Sequence, residues 1–205
     1  MAEAAGLMLP LSDFVLQHAC RQLAAWQRSN PALANLTVSV NLSSGDLAEP
    51  ALAARVGRAL AEAGLRPEHL TLELAEGSWM GDLAGGLDAL RELRSLGVRL
   101  AVDDFGTGFS SLSHLSRLPI DSLKIDRSIV ARMSHDSDDA VVVAAILQLG
   151  STLRKVVVAE GIETAEQLDQ LRELGCELGQ GFHLAHPLSA QAATAWLAAG
   201  PTTLH

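Results

Sequence analysis

Six short apolar segments, separated by amphipathic stretches, constrain the fold of this chain more than any other feature. Each segment is five or six residues long and is bounded by turn or helix-cap residues, which is typical of β-strands. The stretches between them place apolar residues at helical spacing. Strands that alternate with helices predict a parallel sheet. The predicted strands are 36–41, 70–74, 98–103, 122–126, 155–160 and 176–180. The predicted helices are 11–27, 51–63, 82–97, 111–118, 140–153, 164–175 and 190–199.

Polar residues stand at or near the carboxyl end of every predicted strand. They are Asn41, Glu73, Asp103, Lys124, Glu160 and Gln180. In a (β/α)8 barrel those ends share one face, where such barrels carry out their chemistry. An open doubly wound sheet is the alternative, but the polar strand ends favour the barrel. The predicted fold class is therefore α/β, a TIM-like (β/α)8 barrel that is incomplete, with about six strands present and the first two missing. No linker divides the chain, which predicts one domain over residues 1–205.

The composition restricts the partners and the location of the chain. Its formal net charge of −9 disfavours binding to nucleic-acid polymers. The longest apolar run, 140–147, is too short to cross a bilayer. Two cysteines, Cys20 and Cys176, are too few for a disulfide framework, and no export signal is visible. We therefore expect a cytoplasmic location and no membrane segment.

Carboxylates and an amide at successive strand ends predict a site for hard cations. Mg²⁺ and Mn²⁺ prefer oxygen ligands, and adjacent Asp103 and Asp104 would let one carboxylate bridge two ions. Two such ions stabilise the attacking and leaving oxygens of a phosphodiester displacement. Lys124 would help to position the nucleophile and to neutralise phosphate charge. The alternative interpretation is that these polar residues only end strands and cap helices.

Five sequence blocks resemble the EAL domain family in their order and spacing. The segment 103–112, DDFGTGFSSL, is similar to the DDFGTGYSSL loop of that family. The other four blocks are VNLS at 40–43, ELAE at 73–76, LPIDSLKIDRS at 118–128, and AEGIET at 159–164 followed by GC at 175–176 and QGF at 180–182. The resemblance covers essentially the whole chain.

This resemblance implies a metal-dependent phosphodiesterase of bacterial signalling that hydrolyses cyclic di-GMP to linear pGpG with Mg²⁺ or Mn²⁺. The implied metal ligands are Asn41, Glu73, Asp103, Asp104 and Glu160. Lys124 would hold the attacking water, and Asp126 and Gln180 would complete the catalytic site with Glu160. Glu76 would brace the DDFGTG loop, and Glu163 would support a neighbouring loop. The resemblance also implies a homodimer formed through the DDFGTG-loop region, and fusion to sensor or GGDEF domains in a longer protein.

The start of the chain departs from the family pattern. Residues 2–7, AEAAGL, resemble the second half of a family segment, so the strand that carries the EAL motif is expected to be absent. With it would go a glutamate metal ligand and an arginine that contacts ligand phosphate. We therefore expect weak or no hydrolysis by this polypeptide. The alternatives are a catalytically inactive module that binds cyclic di-GMP or a protein partner, and a non-functional fragment.

Overall fold

A computed structural model describes residues 8–77, 83–108, 115–133 and 138–199 of the chain. Six strands form one parallel sheet in the order of the sequence. They are β1 (Val38–Leu42), β2 (Leu70–Ala75), β3 (Arg99–Phe105), β4 (Ser122–Ile125), β5 (Val156–Ala159) and β6 (Leu178–Gly179). Sequential order in a parallel sheet means that every connection crosses in the same sense, as in the wall of a (β/α) barrel.

Helices surround one side of this sheet. They are α1 (Met8–Ser29), α2 (Ser44–Leu47), α3 (Leu52–Ala63), α4 (Leu83–Leu96), α5 (Arg127–Arg132), α6 (Asp138–Leu153), α7 (Ala165–Glu173) and α8 (Ala190–Ala199), with short 3-10 turns at Pro31–Leu33 and Pro67–His69. Within the described residues, no helix has the length and apolar character needed to cross a membrane.

The core lies between the helices and the outer face of the sheet. Alternate strand residues point to this face and are buried, for example Leu70, Leu72 and Leu74 in β2. Helix α3 contributes Val56 and Leu60 to the same core, and it ends at Gly64, whose φ of 66° makes the left-handed cap that glycine favours.

The inner face of the sheet is more open than the outer one. Val156 and Leu178, which point inward from β5 and β6, are each 50% exposed. Strands β1 and β6 are the edges of the described sheet. Beyond those edges, Trp26 Nε1 of α1 donates a hydrogen bond of 2.8 Å to Thr194 Oγ1 of α8. The sheet therefore curves far enough to bring the helix before β1 against the helix after β6, although it is not closed.

A buried polar cluster fixes the chain just after β1. Ser43 and Asp46 form a capping box at α2, and the fully buried Asp46 carboxylate also accepts hydrogen bonds from Ser12 (2.8 Å) and Arg55 (3.2 Å). Arg55 in turn donates to Asp13 at 2.6 Å. The start of α1, the β1–α2 connection and α3 are thus joined beneath the strand end that carries Asn41.

The structure confirms the predicted α/β class, and its parallel six-stranded sheet has the curvature of an incomplete barrel wall. The Thr164 capping box opens α7 as the sequence predicted. The last strand is shorter than the predicted 176–180, and α2 was not predicted, because a single turn of helix has no apolar period to detect. The predicted Asp82 cap and most of the predicted 111–118 helix lie outside the described residues.

Candidate metal centre

The strand register places all six polar strand-end residues on the inner face of the sheet. Asn41 pairs with Glu73, and Ala75, two residues further along β2, pairs with Asp103. Ala101 pairs with Ser122, and Lys124 with Val158, which itself pairs with Leu178. Since side chains alternate along a strand and paired residues share a face, Glu160 and Gln180 follow on the same side. Residues from six separate strands are thereby brought to one end of the sheet.

Lys124 lies at the centre of this group. Its Nζ is 2.5 Å from Glu73 Oε2, 2.5 Å from Glu160 Oε1 and 3.0 Å from Asp103 Oδ1. The lysine is only 6% exposed and Glu73 only 7%. An ammonium group has three hydrogens, which is enough for one bond to each of these three carboxylates. One cation therefore holds together three acidic side chains that would otherwise repel one another.

The end of β6 is connected to the end of β5 through both side chains and backbone. Gln180 Nε2 donates to Glu160 Oε1 at 2.7 Å, and the Ile162 amide donates to the Gln180 carbonyl at 3.1 Å. Gly181 packs so closely on Ile162 that an added Cβ would lie 2.1 Å from the Ile162 carbonyl oxygen. A side chain at position 181 would therefore separate the two loops, which gives this glycine a steric role.

Three carboxylates meet the requirement of a divalent metal site. Asp103, Asp104 and Glu160 each offer an oxygen atom, and these atoms all lie within 4.8 Å of one another. All the ligand atoms in this group are oxygens, which suits Mg²⁺ or Mn²⁺ better than zinc. The donor set fits the predicted ion, and Glu73 and Asn41 lie on the adjacent strands of the same face.

Asp104 and Asp126 titrate as a pair. Burial, the charge of Asp103 and the hydrogen bond with Asp126 raise the pKa of Asp104 above its ordinary value. Burial would also raise the pKa of Asp126, but hydrogen bonds from Ser128 outweigh it and lower that pKa. The φ of 55° at Asp104 is a left-handed conformation that aspartate tolerates better than most residues.

The pKa values of Glu160 and Lys124 are both raised, and the excess of negative charge around them contributes to each shift. Burial raises the pKa of Glu160, and the charges of Asp103 and Glu73 add to that effect against the opposing attraction of Lys124. Burial would lower the pKa of Lys124, but its bonds to Glu160 and Glu73 raise it above the ordinary value. Lys124 is consequently a permanent cation and a hydrogen-bond donor, and it cannot act as a base near neutral pH.

Glu76 supports the loop that follows β3. Its Oε2 accepts hydrogen bonds from the amides of Gly106 (3.0 Å) and Gly108 (3.1 Å), and the residue is only 6% exposed. The φ of 100° at Gly106 lies in a region that side chains rarely adopt, and an added Cβ would lie 2.6 Å from Ile129 Cδ1. The Glu76 carboxylate therefore binds two amides of the FGTG turn, and Ile129 of α5 packs against the same turn.

Two of the predicted site residues have exposed side chains. Asn41 is exposed beside Glu73, and the Glu163 side chain is exposed while its amide donates to Gln167 at 2.8 Å. Sequence reasoning also overlooked Arg127, which belongs to the 118–128 block but received no role. Its position directly after Asp126 was the only available signal.

A pH dependence of metal binding follows from the raised carboxyl pKa values. In the folded chain the pKa values of Glu160 and Asp104 lie above their ordinary values of 4.5 and 3.8. Their contribution to stability is therefore fully present below the ordinary pKa values and is lost as pH rises through the raised pKa values of the folded state. A bound divalent ion would compensate the ionised groups. We expect the increase in melting temperature caused by Mn²⁺ to be larger at about pH 7.5 than at about pH 5.

Thermal unfolding with and without Mn²⁺ across this pH range tests the expectation. A variant with Glu160→Gln and Asp104→Asn should show little dependence of the Mn²⁺ effect on pH. An Mn²⁺ effect that grew toward acid pH in the unsubstituted chain would contradict the assignment of these carboxylates as ligands.

A parallel α/β sheet with functional groups at its carboxyl edge defines a class of domains that bind ligands at that edge. Within this class, the EAL domain family matches residues 1–187. The chain belongs to the EAL domain family.

The relatives of the chain include proteins with stated activities. It is 44% identical over 191 residues to MucR of Pseudomonas aeruginosa, a bifunctional diguanylate cyclase/cyclic di-GMP phosphodiesterase, covering 93% of this chain and 28% of MucR. It is 41% identical over 199 residues to NbdA of the same organism, a cyclic di-GMP phosphodiesterase, covering 97% of this chain and 25% of NbdA. The chain thus spans about a quarter of the length of these relatives.

Solved structures share the fold. The MucR phosphodiesterase in complex with cyclic di-GMP superposes with a TM-score of 0.88 at 43% identity, over 94% of this chain and 77% of that one. BlrP1 of Klebsiella pneumoniae has been solved with manganese and cyclic di-GMP, and it matches with a TM-score of 0.72 at 31% identity, over 83% of this chain and 43% of that one. A calcium complex of BlrP1 matches similarly, with a TM-score of 0.75 at 32% identity, over 85% of this chain and 44% of that one.

Proposed function

We propose that the domain hydrolyses one phosphodiester bond of cyclic di-GMP to give linear pGpG. The observation that carries this proposal is the convergence of Glu73, Asp103 and Glu160 on Lys124 at the carboxyl end of the sheet. The activities stated for MucR and NbdA support the same reaction. In that reaction a water molecule gives up one proton and its oxygen bonds to phosphorus. The bond from phosphorus to the 3′ oxygen breaks, and that oxygen takes up one proton.

Each site residue has a proposed role. Asn41, Glu73, Asp103, Asp104 and Glu160 would hold Mg²⁺ or Mn²⁺, and these ions would stabilise charge on the phosphodiester and lower the pKa of a bound water. Lys124 would donate a hydrogen bond that orients the attacking water, while Asp126 and Gln180 complete the catalytic site with Glu160. Glu76 would hold the loop after β3, and Glu163 would support the loop after β5.

The role of Lys124 requires a change in its partners. Three carboxylates lie within 3.0 Å of its Nζ and compete with water for its three hydrogens, so donation to water requires that one of the carboxylates moves away. We infer that the carboxylates release Lys124 when they take up their role as metal ligands. Metal binding would then prepare the lysine for the nucleophile.

A second candidate function is binding of cyclic di-GMP without turnover. The contacts of Lys124 favour this candidate, because a lysine with three carboxylates within 3.0 Å of its ammonium nitrogen has little capacity left to orient an attacking water. The predicted single domain over 1–205, the cytoplasmic location, the homodimer and the fusion to sensor or GGDEF domains all stay predictions.

Incubation of the purified chain with cyclic di-GMP and Mn²⁺ or Mg²⁺, with pGpG measured by chromatography, tests the proposal. Metal-dependent product that Glu160→Ala abolishes and that Glu173→Ala, an exposed substitution on α7, leaves unchanged would support hydrolysis. Ligand binding without product would favour the second candidate and agree with the weak or absent turnover expected from the sequence. Absence of both binding and product from a folded chain would refute both candidates.

A further inference from the structure

Arg127 is the cation nearest in sequence to the acidic strand ends. It is exposed and begins α5, directly after Asp126. Among the described residues at the three positions that follow each of the six strands, Arg127 is the only lysine or arginine. It is therefore the one cation of this set at the edge of the sheet where the candidate site lies.

Packing holds the stem of Arg127 beside the site. An added Cβ at Gly161 would lie 2.4 Å from Arg127 Cβ and 3.1 Å from Arg127 Cα. Gly161 directly follows Glu160, so the arginine stem is pressed against the β5 loop that carries a candidate metal ligand. The backbone at both ends of this contact, after β4 and after β5, is thus fixed relative to the carboxylates.

Within the fold, the charge of Arg127 helps to lower the pKa of the adjacent Asp126. Some arginines of the chain have carboxylate partners, such as Arg94 with Asp121 and Arg132 with Asp139, whereas Arg58 and Arg99 are in none of the ion pairs of the described residues. The ion pairs of the described residues do not include Arg127. A cation in the first turn of a helix also gains nothing from the helix dipole.

The charge of the proposed substrate gives a reason for a cation at position 127. Cyclic di-GMP has two phosphodiester groups, each with one negative charge, and only one of them is cleaved. The strand ends carry Glu73, Asp103, Asp104, Asp126 and Glu160. Lys124, the one buried lysine or arginine of the described residues, already lies within 3.0 Å of three of these carboxylates. The second phosphodiester would meet repulsion unless a cation received it, and a guanidinium group is well suited to phosphate oxygens.

We propose that Arg127 binds the phosphodiester of cyclic di-GMP that is not cleaved. This inference rests on the proposed function and assigns to that site a residue that selects a ligand with two phosphodiesters. Arg127 would contribute to ligand affinity and leave the affinity for divalent metal ions largely to the carboxylates.

Equilibrium binding of cyclic di-GMP to the full chain in the presence of Ca²⁺ tests the inference, with Ca²⁺ binding measured separately. We expect Arg127→Ala to weaken binding of cyclic di-GMP by at least about tenfold, because a charge-assisted hydrogen bond is lost. Arg127→Lys should have an intermediate effect, because it keeps the charge but not the planar pair of donors. Ca²⁺ affinity should change by less than about twofold in both variants.

Arg58→Ala is the matched control, because Arg58 is an exposed arginine on α3 and the substitution changes the net charge equally. It should bind cyclic di-GMP like the unsubstituted chain. An Arg127→Ala chain that binds cyclic di-GMP as tightly as the control, or one that loses Ca²⁺ affinity to the same extent, would overturn the inference alone. An unsubstituted chain that binds Ca²⁺ but not cyclic di-GMP would overturn the proposed function with it.

Discussion

Replacing Lys124 with methionine is expected to lower the rate of cyclic di-GMP hydrolysis by about 10²- to 10³-fold. The substitution removes the cation that lies within 3.0 Å of Glu73, Asp103 and Glu160, and leaves those buried or half-buried carboxylates without compensation. In the absence of metal we also expect a loss of about 3–5 kcal/mol in the free energy of unfolding, the usual cost of removing one partner from a buried ion pair. Saturating Mn²⁺ should recover much of this stability without recovering activity.

Lys155→Met is the control for this experiment, because Lys155 is the other lysine of the chain and its Nζ hydrogen bond is to the Ile120 carbonyl, at the opposite end of the sheet. It should retain activity. Kinetic assays combined with denaturant unfolding, each with and without Mn²⁺, measure both effects. If Lys124→Met proved as stable as the unsubstituted chain without metal, the lysine would not be the group that holds the carboxylates together.

The second large effect is expected from Glu76→Ala. This change leaves the amides of Gly106 and Gly108 without their carboxylate acceptor and should cost about 1–3 kcal/mol in stability. Because Asp103 and Asp104 immediately precede this turn, a displacement of about 1 Å should lower turnover by about 100-fold. Glu76→Gln retains a carbonyl oxygen in the same place and should keep most of the activity.

Melting temperature and the rate of pGpG formation distinguish these variants. Full turnover by Glu76→Ala would show that the turn holds its shape without this support. Equal damage from Glu76→Gln and Glu76→Ala would assign the effect to the negative charge of Glu76 instead of its hydrogen bonds.

The sequence predicted the features of this domain that depend on local periodicity. Alternation of buried residues such as Leu70, Leu72 and Leu74 identified strands, and the Thr164–Gln167 pair identified the start of α7. The polar residues that end the strands pointed to one edge of the sheet, because parallel strands share a direction. These inferences need only neighbours along the chain and the rules of parallel sheets.

Contacts between distant segments could not be derived in the same way. Lys124 and Glu73 are 51 positions apart, and their pairing depends on the order and register of three strands. The cluster of Ser12, Asp46 and Arg55 joins three elements with no shared sequence pattern. Family resemblance named many of the site residues, but it did not indicate that one lysine would engage three of the proposed ligands, nor that Arg127 would lie against Gly161.

The lysine at the centre of the acidic group has a consequence for which ions the site accepts. A tethered ammonium acts as a competitor whose effective concentration is set by the fold and does not change with dilution. An incoming ion must outcompete it for carboxylate oxygens, which a monovalent ion with a single charge cannot do as well as a divalent one. The chain would therefore discriminate against sodium and potassium through its own side chain, and its occupancy would follow the concentration of free divalent ions in the cell.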